Sequence, residues 1–154
     1  GGSTPRPIYA GLAAAQGIEW AKVHVFLVDE RHISAQDSKS NNLLVAQTLG
    51  ATGASFHMPD TALPLAECVT AYQRDLEALF KAHGNGNGSA DVVTLGLGPD
   101  GHLASLFPPL SPALHMGAGS PLVVTTETEE FDVKERITVS IDCIVAASHR
   151  VFFL

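Results

Sequence analysis

The segment Asp91–Pro108, DVVTLGLGPDGHLASLFP, decides how the rest of the chain is read. Val92, Val93 and Leu95 make an apolar run of strand length. Gly96, Gly98 and Gly101 break that run into a tight turn carrying Asp100 and His102, and a helix can start in the short apolar segment that follows. A buried strand that delivers a carboxylate and an imidazole at its carboxyl end is how open α/β sheets present chemistry. The plainer alternative is a structural turn with an exposed histidine.

The same glycines fit G-x-G-x-x-G after a strand, the fingerprint of a dinucleotide site. Three features oppose that reading. Asp100 would set a negative charge beside a pyrophosphate that needs N–H donors and a positive helix end. Pro108 and Pro109 stop any helix after about two turns, too short for a βαβ crossover. No acidic residue closes a second strand about 20 residues on, where the ribose partner is expected.

Upstream, Trp20–Val28 (WAKVHVFLV) is β-branched, aromatic and nearly all apolar, the composition of a strand covered on both faces. It runs into Asp29, Glu30, Arg31 and His32. This cluster reads either as a solvated loop or as a site at a strand end. Arg31 is the natural cation for a phosphate because its donors are forked, and Asp29 or Glu30 can orient it.

At the start of the chain, Ser3 or Thr4 can cap a helix that Pro5 opens and that Ile8, Leu12 and Ala15 continue. Gly1, Gly2, Ser3 and Thr4 also suit an anion cradle, where free N–H groups, hydroxyls and the positive helix end converge. An ordinary capped helix fits equally well.

Further along, Ser40, Asn41 or Asn42 caps a helix to about Leu49, and Ala54–His57 reads as a short strand. Leu65–Lys81 is the clearest helix. Leu65, Cys68, Val69, Tyr72, Leu76, Leu79 and Phe80 form its one apolar face, which core packing explains. His83–Ser89 reads as a flexible link and Leu110–Ser120 as a loop. Pro121–Thr126 reads as a strand. Glu135–Ile141 alternates as a half-buried strand with Ile137, Val139 and Ile141 inward. A short helix over Ile141–Ala147 and a strand over Arg150–Leu154 follow. Strands alternating with helices predict an α/β fold, doubly wound, with a mostly parallel sheet and helices on both faces. The expectation is one domain, residues 1–154, lacking segments at both ends.

The chain has 154 residues, 45% hydrophobic and 16% charged, a globular composition. Its formal charge of −7 leaves no basic stripe for nucleic acid. No run of 18 apolar residues suggests a membrane span. Cys68 and Cys143 sit in apolar patterns and read as buried reduced thiols, which points to the cytoplasm. His24, His32, His57, His102 and His115 lack ligand spacing, so no metal site is expected. The oligomeric state is not encoded legibly; a monomer is the expectation.

Several pieces together resemble one family. GGSTP at Gly1–Pro5, FLVDER at Phe26–Arg31, Asp37-x-x-Ser40-Asn41, LGLGPDGHLASLFP at Leu95–Pro108 and ERITVS at Glu135–Ser140 have the order and spacing of 6-phosphogluconolactonases. Related glucosamine-6-phosphate deaminases share the GGSTP start and a D-G-H turn. Their turn continues into Phe-Asn-Glu-Pro, whereas this chain has Ala104–Pro108. The resemblance implies the doubly wound fold of sugar-phosphate isomerases and deaminases. It implies hydrolysis of 6-phospho-D-glucono-1,5-lactone, a phosphosugar lactone, with no organic cofactor. By position, it makes His102 the general base and Asp100 its turn neighbour. It makes Arg31 with the Gly1–Thr4 loop the phosphate site. Backbone N–H groups of the Gly98–Gly101 turn become candidate oxyanion donors.

Three alternatives draw on the same segments. Ser105 lies three positions from His102, a helical spacing that would allow a Ser–His nucleophile. A deaminase, or a sugar-phosphate-binding module without catalysis, would keep the phosphate site and lose the lactonase chemistry. The departures lie at the rim. His32-Ile33-Ser34 and Phe131-Asp132-Val133-Lys134 replace proline-containing family segments. The strand expected before GGSTP and the lysine loop expected after the last strand are not in the sequence.

Overall fold

The computed structural model describes residues 4–86, 88–110 and 120–153. In chain order the elements are α1 (Pro5–Ala13), a single 3₁₀ turn (Trp20–Lys22), β1 (His24–Phe26) and β2 (Asp29–Arg31). Then come α2 (Asn41–Leu49), β3 (Ser55–His57), α3 (Leu65–His83) and β4 (Val92–Gly96). The chain continues through β5 (Val123–Glu127), β6 (Glu135–Val139), α4 (Ile141–Ala146) and β7 (His149–Phe153).

Two parallel ladders carry the α/β character. β1 pairs with β3 and β4 pairs with β7. Helices cover both faces of β1, as expected. Val25, like Tyr9 of α1, packs against the cluster that Leu27 forms with Val45 and Leu49 of α2. Its neighbour Phe26 points the other way and meets Phe80 of α3 edge-on, ring centroids 5.4 Å apart. The larger core joins Cys68, Tyr72, Leu76, Leu79 and Phe80 of α3 to Val93 and Leu95 of β4 and to Val123, Ile137 and Val139 of β5 and β6. Each such side chain, fully buried, contributes about 1.5–3 kcal/mol. Burial raises both cysteine thiols, Cys68 and Cys143, to about 11.

The third sheet departs from the sequence reading. Asp29–Arg31 is not a loop but a strand, and the order β2-β6-β5 is antiparallel throughout. β6 is central in it, and from Arg136 on its residues are buried on both faces: Arg136 is 5% exposed, Ile137 1% and Thr138 0%. The expected half-buried alternation therefore does not hold.

The strand expected over Trp20–Val28 is shorter for a specific reason. After Phe26 the backbone of Leu27 turns to a side chain instead of a ladder. Its N–H donates to the Tyr72 hydroxyl at 2.9 Å, and that hydroxyl donates to the Leu27 carbonyl at 2.8 Å. The peptide group is satisfied without a strand partner. Burial holds the Tyr72 hydroxyl well above the usual phenol range. The chain is thus re-aimed from β1 into β2.

Helix starts follow their caps unevenly. Ser40 accepts from the Leu43 N–H at 3.2 Å and starts α2 as predicted. Thr4 makes no cap bond, so α1 opens on Pro5 alone. No helix follows the Gly98–Gly101 turn. Residues 103–106 form a tight bridge instead, Leu103 pairing with both Leu97 and Leu106. The expected Leu110–Ser120 loop lies mostly outside the described residues.

Candidate active site

The strand pattern itself builds the site. Along β2, Glu30 points to one face, and Asp29 and Arg31 to the other. Glu30 is 1% exposed and caps α2. Its carboxylate accepts from the backbone N–H of Asn41 (2.9 Å), Asn42 (2.7 Å) and Arg31 (2.7 Å), and from the Ser40 hydroxyl at 3.0 Å. A carboxylate at a helix start meets orphan donors and the positive end of the dipole. Glu30 is thus the residue that fastens β2 to α2, a role the sequence did not signal.

Asp29 and Arg31 face a cavity of about 490 Å³, within the usual range for small-molecule sites. Asp29, Arg31, Gly98, His102 and Arg136 are among the residues that line it, as are Asn41 of α2 and Pro5 of α1. Side chains and backbone of β1, β4, α1 and α2 form its apolar remainder.

The turn after β4 brings its two ionisable residues together. The His102 ring Nδ1 lies 2.5 Å from Asp100 Oδ1. With a carboxylate as its partner, Nδ1 is the donor, which in the neutral ring leaves the lone pair on Nε2. Nε2 makes no hydrogen bond among the described residues. Burial raises the Asp100 carboxyl, but the His102 ring and backbone N–H hold its charged form, so it lies below the ordinary aspartate value of 3.8. Phe107 and Phe131 flank the imidazole, with ring centroids 4.9 and 5.5 Å away.

The glycines serve space and not donation. The Gly98 N–H is bonded to the His102 carbonyl at 2.9 Å, and the Gly101 N–H to the Gly98 carbonyl at 3.0 Å. For Gly98 and Gly101 the expectation of N–H groups pointing at a substrate oxyanion is therefore corrected: the turn consumes both. Gly98 still lines the cavity, and a Cβ there would lie 2.1 Å from His102 Nδ1. Gly101 has φ +87°, the left-handed region that the turn requires of a glycine. Gly101 and Asp100 are not among the residues that line the cavity.

Ser105 is not a nucleophile beside His102. It is 1% exposed and donates to Asp29 Oδ2 at 2.9 Å. Asn41 Nδ2 reaches Asp29 Oδ1 at 3.3 Å. Asp29 is thus held from two sides and makes no ion pair with Arg31 among the described residues.

The Arg31 side chain donates through Nη1 to the Lys39 carbonyl, and its buried Nε has no partner. Thr4 is exposed before α1. Gly1, Gly2 and Ser3, the rest of the predicted cradle, lie outside the described residues. Arg136 was missed because its alternation in ERITVS reads as outward. Its guanidinium sits over Phe107 and Phe131, 5.9 and 5.6 Å from their centroids. Burial lowers its pKa, and Arg31 lowers it further.

A second cluster lies where β1, β3 and α3 meet. His57 Nδ1 bonds Asp75 at 3.0 Å, His57 Nε2 lies 3.1 Å from His24 Nδ1, and the His24 and His83 rings stack at 4.2 Å. Among the described residues no group of three or more His, Cys, Asp or Glu could hold a metal ion. No helix among them is long and apolar enough to cross a membrane.

The sequence model of a family described as glucosamine-6-phosphate isomerases/6-phosphogluconolactonase matches residues 1–154. A "Probable 6-phosphogluconolactonase" of Dictyostelium discoideum is 40% identical over 161 residues, covering 100% of this chain and 65% of the relative. A 6-phosphogluconolactonase of Synechocystis is 34% identical, covering 100% of this chain and 63% of the relative. The crystal structure of a 6-phosphogluconolactonase from Thermotoga maritima superposes with a TM-score of 0.78 at 29% identity, over 99% of this chain and 66% of that one. The chain therefore spans just under two thirds of the length of these relatives.

Proposed function

The chain belongs to the family of glucosamine-6-phosphate isomerases and 6-phosphogluconolactonases, and on that premise we propose that it hydrolyses 6-phospho-D-glucono-1,5-lactone to 6-phosphogluconate. The observation that carries this reading is His102, held by Asp100 with Nε2 free, in one cavity with Arg31.

In this mechanism His102 Nε2 takes a proton from water as the oxygen attacks the lactone carbonyl carbon. The tetrahedral intermediate collapses, the ring C–O bond breaks, and the departing oxygen receives the proton from the imidazolium. Asp100 keeps the ring oriented and stabilises its charged form. Arg31, with the Gly1–Thr4 segment ahead of α1, holds the phosphate. Fixing this remote group orients the reacting carbon. Asp29 lines the same cavity as Arg31, and its carboxylate can accept from a sugar hydroxyl there. The reaction needs no organic cofactor, because a lactone is an activated ester and water is the nucleophile. Two buried free thiols support the assignment to the cytoplasm, a reducing compartment.

The test is His102→Ala in a lactone hydrolysis assay corrected for the spontaneous reaction. The expected loss in kcat is about 10²–10⁴-fold with the fold intact. Turnover at the parent's rate would remove His102 from the mechanism. Ammonia release from glucosamine 6-phosphate without lactone hydrolysis would move the chain to the other branch of its family.

A further inference from the structure

Arg31 and Arg136 are directly opposite partners in the β2–β6 ladder. Opposed residues on antiparallel strands project to the same face with Cβ atoms about 5 Å apart. Two like charges there destabilise the pair unless something answers them. Asp29, two positions along on the same face, is held by Ser105 and Asn41. Glu30 points to the opposite face and is held by the start of α2. Neither arginine forms an ion pair among the described residues.

Both arginines line the same cavity. Arg136 is 5% exposed, and among the described residues its only hydrogen bond runs from Nε to the Val133 carbonyl at 3.0 Å. Its two Nη groups are unengaged. Arg31 likewise retains its Nη2 group and a buried Nε without a partner. Phe107 and Phe131 stack on Arg136 and restrict its swing. Two restrained guanidinium groups, each keeping Nη donors that are unengaged among the described residues (Nη2 of Arg31, both Nη of Arg136), sit on adjacent strands and suit a tetrahedral dianion whose oxygens can be shared between them.

We propose that Arg136 is a second phosphate-holding side chain, forming with Arg31 a two-arginine clamp across the β2–β6 pair. The identity of the ligand as a phosphosugar rests on the function proposed above; the clamp itself rests on the arginine geometry. It is the anion, straddling the strands, that relieves the repulsion between the two cations.

The test titrates inorganic phosphate, 6-phosphogluconate and phosphate-free gluconate into the parent, Arg136→Gln, Arg136→Lys and Arg31→Gln by calorimetry. Arg136→Gln should weaken inorganic phosphate and 6-phosphogluconate by about 10- to 100-fold, the loss expected for charge-assisted bonds, and leave gluconate unchanged. Arg136→Lys keeps the charge but loses the fork, and should bind phosphate at least about threefold more weakly than the parent. A purely structural Arg136 would lower the melting temperature without altering the rise that phosphate induces; the clamp predicts that this rise shrinks.

The clamp is overturned if Arg136→Gln binds phosphate within about twofold of the parent, or if the parent binds none. Should Arg136→Gln fail to fold, parental phosphate affinity in Arg136→Lys overturns it. Phosphate binding that depends on Arg136, without lactone hydrolysis, keeps the clamp and discards the lactonase reading. Lactone hydrolysis with KM unchanged in Arg136→Gln does the reverse.

Discussion

Gly98 and His102 compete for the same space: a Cβ on Gly98 would lie 2.1 Å from the imidazole Nδ1 and 2.8 Å from Asp100 Oδ1. The histidine can lie over the turn only because position 98 has no side chain. Gly98→Ala should therefore push the ring off Asp100 and out of alignment. We expect kcat/KM to fall by about 100-fold, the scale of a misplacement near 1 Å, with a small change in melting temperature. Parental kinetics in that variant would show that the ring's position is not needed.

Asp100 should mark the acid limb of stability. Burial acts against its charge, but the His102 bonds prevail and its pKa is depressed. A depressed carboxyl adds stability that is complete above the unfolded value and is lost as pH falls through the folded one. Thermal unfolding should show the parent's advantage over Asp100→Asn shrinking as pH drops below 3.8. An advantage that persists in strong acid would mean the Asp100–His102 contact is not what stabilises the turn.

Glu30→Gln keeps the shape at the start of α2 but turns one acceptor into a donor facing backbone N–H groups. Loss of a buried charged acceptor costs about 2 kcal/mol. Urea unfolding monitored by circular dichroism should read that loss. A change below about 0.5 kcal/mol would mean that the cap bonds of Ser40 alone sustain the helix start.

Ser105→Ala separates support from nucleophilic chemistry. It removes the hydroxyl that donates to Asp29, so a loss of about 1–3 kcal/mol is expected. Lactone turnover should stay within about tenfold of the parent, since a covalent role would cost far more. Trapping of an acylated Ser105 by mass spectrometry would reverse this assignment.

The histidine cluster where β1, β3 and α3 meet predicts a second pH response. Burial lowers the pKa of His24 below 6.5, and His83 and His57 lower it further. A histidine with a depressed pKa contributes stability that is present above its unfolded value and lost as pH falls below it. Melting temperature should decline as pH falls from 6.5, and His24→Gln should flatten the decline. An unaltered slope in that variant would place the proton uptake elsewhere.

The regular parts of the fold were legible because periodicity reports burial. α3 shows one apolar face in every turn, and β4 is an apolar run closed by glycine, so both were read from their own residues. Asp29–Arg31 was not, because three charged residues suggest solvent. Their burial comes from β6, more than 100 positions away, and from the start of α2. Arg136 was hidden by the same effect: an outward position in a half-buried strand becomes inward when a second layer covers it. Tyr72 read as core, and its ring is; the hydroxyl that redirects the chain at Leu27 leaves no local trace. In the site, the Asp100–His102 contact follows from a two-residue spacing in a glycine turn. The loss of the Gly98 and Gly101 donors to the turn could not be read without coordinates.

The alternation along β2 has a mechanical outcome. Glu30 anchors the strand from below, and Arg31 rises above it from the adjacent Cα. Swinging the Arg31 backbone would first have to uproot the beginning of α2. An anion arriving at that guanidinium meets a rigid post, and association there should proceed with little rearrangement of the protein.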